Sequence, residues 1–124
     1  MKKKGLRIEL HPIGVARKTE KRDLMVISIN PEYAEGLDGI ERLDYIYVLY
    51  WMDRLSEEDR KVLKVHPRGD RSRPLTGVFA LRSPMRPNPI GLTRVRLLRR
   101  EGNKLYVEGL DALDGTPVVD IKSG

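Results

Sequence analysis

Cysteine and glutamine are absent from this 124-residue chain, and histidine occurs only at His11 and His66. Without cysteine there is no disulfide framework and no thiolate metal site. Two histidines give little support to a His-rich metal centre or to a Ser-His-Asp nucleophile. We therefore expect no metal. No apolar run approaches the roughly 18 residues that a membrane helix needs, so no membrane partner is expected. The start, Met1-Lys2-Lys3-Lys4, is basic but is followed by no apolar stretch of the kind a secretory leader carries. These absences suit a cytoplasmic protein. Asparagine is reduced to Asn30, Asn88 and Asn103, while 34% of the residues are charged. That balance is a tendency of heat-adapted proteins. It singles out Asn88, which sits in the most unusual loop.

The charge that is present is unevenly placed. Residues 1–59 hold ten Lys/Arg and twelve Asp/Glu, a net −2. Residues 60–100 hold twelve Lys/Arg and only Asp70, a net +11, and residues 101–124 return to −3. The whole excess of +6 thus belongs to the middle third. Such a block reads as a surface for an anionic partner, RNA foremost, or as a solvated charged face.

The length suits one domain spanning 1–124 with a single core. Short segments carry the strand period. Leu6 to Leu10 alternates apolar and polar, Leu24 to Ile29 suits a buried strand, and Asp44 to Met52 is aromatic and β-branched. Leu75 to Leu81, Leu92 to Leu98, Leu105 to Leu110 and Val118 to Ile121 continue the series. Glu101-Gly102-Asn103-Lys104 between two of them reads as a hairpin turn. Pro31 to Gly39 suits a short helix or turn, and Ser56-Glu57-Glu58-Asp59 looks like an N-cap opening at most two helical turns. No β-α-β alternation and no GxGxxG follow a strand, so a doubly wound nucleotide-binding sheet is not expected. The expected fold is all-β: a small closed or nearly closed barrel of about seven strands with one or two short helices.

The most specific stretch is Arg82-Ser83-Pro84-Met85-Arg86-Pro87-Asn88-Pro89-Ile90-Gly91. Three prolines in six residues fix their own φ near about −65° and restrict each preceding residue. A loop so stiffened loses little entropy on holding a ligand. Arg82 and Arg86 are planar, permanent donors, and Asn88 offers an amide donor and acceptor. Taken alone, this is equally a rigid structural connection or a binding loop. A second cluster, Leu113-Asp114-Gly115-Thr116-Pro117, is a strong turn signal that needs no ligand to explain it. As a site, Asp114 would accept from a ribose hydroxyl or an amine, and the backbone of Gly115 and Thr116 would meet a flat base.

Taken together, the two stretches resemble the TrmO (TsaA-like) family of tRNA methyltransferases. The resemblance lies in Gly77-Val78-Phe79-Ala80-Leu81-Arg82-Ser83, in Arg86-Pro87-Asn88-Pro89-Ile90-Gly91-Leu92 and in Leu113 to Lys122. Weaker matches lie at Ile13-Gly14-Val15 and at Gly36 to Ile40. The resemblance implies a β-barrel that binds S-adenosyl-L-methionine and methylates N6 of threonylcarbamoyladenosine beside a tRNA anticodon. It also implies a homodimer with cofactor sites near the subunit contact. By resemblance, Arg82, Leu92 and Leu113, Asp114, Gly115 and Thr116 match cofactor-contacting positions, with Asp53 and Arg54 nearby. Arg86 and Asn88 join them as holders of the cofactor or of the RNA backbone. This chain differs at Trp51-Met52-Asp53-Arg54, where many members carry Phe-His, and at Arg17 to Arg22, where many carry Pro-Arg-Gln. Members continue with Pro-Tyr, often into a second small domain, where this chain has Ser123-Gly124. The expectation is that a dimer and the basic middle third supply the RNA contacts, with Arg71, Arg73, Arg94 and Arg96 meeting phosphates.

Methyl transfer from a sulfonium is an in-line displacement, so positioning carries much of the catalysis, up to roughly 7–11 kcal/mol in favourable cases. No strong base is demanded, and the spacing of acids and bases identifies no catalytic residue. Asp114 is expected to orient the cofactor or the acceptor amine. Two rival readings remain: a non-catalytic RNA-binding barrel, and a methyltransferase acting on something other than tRNA.

Overall fold

The computed structural model describes residues 5–124. The basic start Met1-Lys2-Lys3-Lys4 lies outside the described residues. Among the described residues eight strands follow one another: β1 (Gly14–Lys18), β2 (Leu24–Ile29), β3 (Tyr45–Trp51), β4 (Lys64–Val65), β5 (Thr76–Gly77), β6 (Ile90–Glu101), β7 (Lys104–Glu108) and β8 (Thr116–Ser123). Six of them close a barrel in the order β1-β2-β7-β6-β3-β8, and β4 and β5 pair separately. Every barrel pairing is antiparallel. The expected barrel is present, with six staves instead of about seven.

Period two builds its core. Ala16, Met25, Ile27, Ile29, Ile46, Val48, Val95, Leu97, Leu105, Val107 and Val118 are buried at alternate positions of their strands. Their neighbours in sequence face outward, as the pleat requires. The β6–β7 hairpin turns on Gly102-Asn103, with Gly102 at φ 62 in the first central position. That placement suits the turn that matches strand twist. Ser56 caps the single-turn helix α1 (Glu57–Arg60) in a reciprocal capping box with Asp59. Pro31–Leu37 forms a 3-10 helix.

Two expected strands are corrected. Leu6 to Leu10 alternates but does not pair, and Ile8 is 80% exposed. The reason is topological: β1 already has β2 and β8 on its two sides, so the closed barrel offers no edge. Leu75 to Leu81 pairs only through Thr76–Gly77, then winds into a 3-10 turn over Val78–Ala80. Only Val78 of that turn is buried, and Phe79 is 77% exposed. Both sides of β6, the next stave, are likewise taken, by β3 and β7.

Two register shifts bend the wall. In β8 the pairing passes from Leu49↔Asp120 to Tyr50↔Val118, leaving Val119 without an opposite residue. In β6 it passes from Leu97↔Val107 to Arg99↔Tyr106, skipping Leu98. A bulge re-aims the residues beside it. After Leu98 the sidedness changes, and Arg100 turns back to donate to the Leu37 carbonyl (3.2 Å) and pair with Glu41 (3.3 Å). The Val119 bulge lies opposite Tyr50, at the end of β3 that carries the candidate site. Among the described residues no helix is long and apolar enough to cross a membrane.

Candidate active site

Prolines remove donors from the 82–89 loop but leave its carbonyls, and arginines satisfy them. Arg86 donates to the carbonyls of Ser83 (2.9 Å), Val78 (3.1 Å) and Leu81 (3.3 Å). Arg60 donates to the Pro87 carbonyl (2.9 Å) while lying 5.4 Å from the Trp51 ring centroid. The Met52 amide donates to the Pro89 carbonyl (2.8 Å), fastening the loop to the end of β3. Arg86 is therefore the internal clamp of the loop. Arg82, by contrast, is exposed and makes no hydrogen bond or ion pair to protein among the described residues.

The three asparagines divide in the same way. Asn30 donates to the Pro12 carbonyl (3.1 Å), and Asn103 donates to that of Ile29 (2.5 Å). The Asn88 side chain has no protein partner among the described residues and borders the open cleft.

Across this cleft stands the turn after β7. Gly115 (φ 82) donates its amide to the Ala16 carbonyl (2.8 Å). Thr116, buried, bonds the Leu113 carbonyl through its amide (3.2 Å) and its hydroxyl (2.7 Å). The Asp114 carboxylate accepts from the Lys18 amide (2.8 Å), and its backbone carbonyl accepts from Arg54 (2.6 Å). These bonds fix the turn to the end of β1. They also occupy the Gly115 and Thr116 amides and one Asp114 oxygen. Ala112 and Leu113 line the smaller lobe, and their amides have no protein acceptor among the described residues.

Tyr50 joins the two walls. It points inward from β3 and is 5% exposed. Its phenol meets the Asp111 carbonyl at 2.6 Å and the Thr93 hydroxyl at 3.0 Å. A carbonyl only accepts, so the phenol donates to Asp111 and the Thr93 hydroxyl donates to the phenol. Burial pushes the phenol above its ordinary range; the Thr93 bond opposes this, Asp111 adds to it and Arg82 opposes it. Tyr50 is a neutral floor group, not a base. Its ring occupies the space above Gly91, its register partner, where any Cβ would collide with it.

A cleft of about 810 Å³ opens beside this floor, lined by Met52, Leu81, Arg82, Asn88, Leu92 and Asp111 among others. A smaller lobe of about 440 Å³ adjoins it, lined by Asp53, Arg54, Ala112, Leu113 and Thr116. The two share Tyr50, Met52, Pro84 and Asp111. Residues 82–92 and 111–116 therefore meet where two adjoining lobes join, each within the size range of small-molecule sites. Its apolar surfaces suit a flat ring, its arginines a carboxylate, and Asp111 an ammonium or a hydroxyl.

The other candidates separate. Arg71 and Arg73 line a neighbouring concavity of about 920 Å³. Arg94 lies at the outer rim of the larger lobe, its guanidinium 4.0 Å from the Tyr45 ring centroid. Arg96 faces outward from β6, opposite Tyr45 in register. Tyr50, Met52, Thr93 and Asp111 were not among the expected site residues. The available signal was the inward parity of Tyr50 in β3, since a buried phenol requires a partner.

The family model for the tRNA-methyltransferase O N-terminal domain matches residues 12–123. The chain is 51% identical over 114 residues to a probable S-adenosyl-L-methionine-binding protein of Methanocaldococcus jannaschii, covering 91% of this chain and 89% of that one. It is 41% identical over 93 residues to a mouse tRNA (adenine(37)-N6)-methyltransferase, covering 75% of this chain and 21% of the mouse protein. The crystal structure of TrmO from Pseudomonas aeruginosa superposes with a TM-score of 0.73 at 28% identity, over 96% of this chain and 56% of that one. The chain thus spans a little over half of that solved structure.

Proposed function

The chain belongs to the tRNA-methyltransferase O N-terminal domain family, and from that premise we propose that it is an S-adenosyl-L-methionine-dependent tRNA methyltransferase. The finer reading is transfer to N6 of the adenosine, in threonylcarbamoyl form, beside a tRNA anticodon, in the cytoplasm. It takes support from the name of the mouse relative and from the motif resemblance. The observation that carries the proposal is the meeting of residues 82–92 and 111–116 over Tyr50.

The residues present fit the cofactor. Met52, Pro84 and Leu113 offer apolar surface to the adenine, and the Ala112 and Leu113 amides are available to its edge. Arg82 and Arg54 are placed for its carboxylate, and Asn88 for a polar group along the cleft. Bound there, the cofactor supplies an electrophilic methyl group. The protein's part is to hold the acceptor nitrogen in line and to exclude water. Arg86 and Asp114 act one step back, as positioning residues: they hold loop and turn in place. Asp111 is the acidic residue that lines both lobes, and we assign it to orienting the acceptor nitrogen.

A second copy of the chain fits the same reading. Trp51, Ile90, Pro117 and Val119 form a mainly apolar hollow on the outer wall with Ile8 and Leu10, which Arg60 and Asn88 also line. Leu92 is exposed on the same face of β6 as Ile90. A homodimer burying this surface would bring a partner to the rim of the cleft.

Titration calorimetry with S-adenosyl-L-methionine, followed by mass spectrometry of nucleosides from treated tRNA, tests the assignment. We expect cofactor binding and a methylated adenosine. Cofactor binding without a tRNA product would move the substrate elsewhere, and RNA binding without cofactor binding would leave a non-catalytic barrel.

A further inference from the structure

Beside the cofactor cleft lies a second concavity of about 920 Å³, and its lining is almost wholly of one sign. Lys64, Arg68, Arg71, Arg73 and Arg82 face one carboxylate, Asp111. Among the described residues, Lys64, Arg68, Arg71 and Arg82 form no ion pair; Arg73 alone has one, with Asp70 at 3.6 Å. Asp70 itself accepts from the Ser72 amide (2.9 Å) and hydroxyl (2.6 Å), bonds that lower its carboxyl below the ordinary range. The single acid of the loop is thus consumed inside the loop, and the remaining cations are left to repel one another.

The arrangement is built. The β4–β5 ribbon closes the base of the 66–75 excursion. His66 Nδ1 lies 2.8 Å from the Arg73 carbonyl, and since that oxygen only accepts, Nδ1 carries the proton. This bond ties the two limbs above the ribbon. At the tip, Arg68 adopts a left-handed conformation (φ 56). That is an unfavourable backbone state for an arginine, and such strain concentrates where a ligand is held.

We propose that this pocket binds consecutive phosphates of the RNA strand whose base enters the cofactor cleft. The proposal rests on the methyltransferase reading and adds the route of the substrate. Arginine forks match phosphate oxygens, and a concave, one-signed surface concentrates a polyanion. Two observations favour this pocket over the arginines of β6, although Arg94 also reaches the rim of the larger lobe. The basic pocket shares Leu81, Arg82, Pro84 and Asp111 with the larger lobe, so a strand on its arginines reaches the cleft directly. On β6, Arg94 is stacked on Tyr45 and Arg99 on Tyr106 (3.8 Å).

The test compares the wild type, the Arg68→Ala/Arg71→Ala protein and the Arg94→Ala/Arg96→Ala protein. Each is titrated with an anticodon stem–loop RNA over a salt series, with S-adenosyl-L-methionine by calorimetry, and by thermal unfolding. For Arg68→Ala/Arg71→Ala we expect weaker RNA binding and a log–log salt slope shallower by about 1.4, at about 0.7 per lost contact. Cofactor affinity should be unchanged and the melting temperature no lower, because removing like charges relieves repulsion. An unchanged slope in this protein, or the same loss of slope only in Arg94→Ala/Arg96→Ala, would overturn the pocket assignment while leaving the enzyme reading intact. A wild type that binds neither cofactor nor RNA would remove the enzyme reading and this inference with it.

Discussion

The Tyr50 phenol donates a 2.6 Å hydrogen bond to the Asp111 carbonyl, and by that bond a barrel stave holds one wall of the cleft proposed for the cofactor. Tyr50→Phe keeps the ring packed over Gly91 but leaves the Asp111 carbonyl without its donor and the Thr93 hydroxyl without its acceptor. We expect a loss of about 1–2 kcal/mol in urea unfolding. Cofactor affinity should fall as well, because the 111–116 turn loses its anchor. Unchanged values on both readings would show that the bond does not hold the turn.

The same phenol carries a pH signature. Burial, first among several influences, raises its titration above the ordinary value of 10.0. The native state therefore keeps a proton that the unfolded chain gives up. Stability from this source is fully present below pH 10 and is lost as pH rises from there towards the native value. Unfolding free energy followed into this alkaline window should fall less steeply in Tyr50→Phe than in the wild type. Parallel profiles would mean that the phenol titrates alike in both states.

Arg86→Lys separates charge from geometry. Lysine keeps the charge but cannot fork onto the carbonyls of Val78, Leu81 and Ser83 together. We expect about 2 kcal/mol of destabilisation and weaker cofactor binding by calorimetry. Full retention of both by the lysine protein would reduce Arg86 to a point charge.

How far this could be read from the chain varies by element. Leu24–Ile29 coincides with its expected strand, because alternation and burial agree there. Leu6 to Leu10 alternates as well, yet periodicity says nothing about whether a neighbouring edge is free, and barrel closure left none. Arg82 and Arg86 look alike in sequence, four residues apart in one stiff loop. Only the fold shows that Arg86 faces three carbonyls while Arg82 faces the cleft. Asp114 and Asp111 were separated in the same manner: the residue in the recognisable turn signal braces β1, and its less conspicuous neighbour borders the cleft.

Two aspartate substitutions follow from that distinction. Asp114→Asn preserves an oxygen to accept from the Lys18 amide and should keep cofactor affinity close to the wild type. Asp114→Ala should lose affinity together with about 1 kcal/mol of stability. Asp111→Asn should leave cofactor affinity largely intact and lower turnover on tRNA. If Asp114→Asn were instead as impaired as Asp114→Ala, the charge of Asp114 would be acting on the ligand directly.

The most direct measurement is a crystal structure grown with saturating S-adenosyl-L-methionine. The account predicts cofactor density between the Pro84 side of the arginine loop and Leu113, touching Arg82 or Arg54 and lying above Tyr50. Density seated wholly outside this cleft, with neither loop in contact, would contradict it.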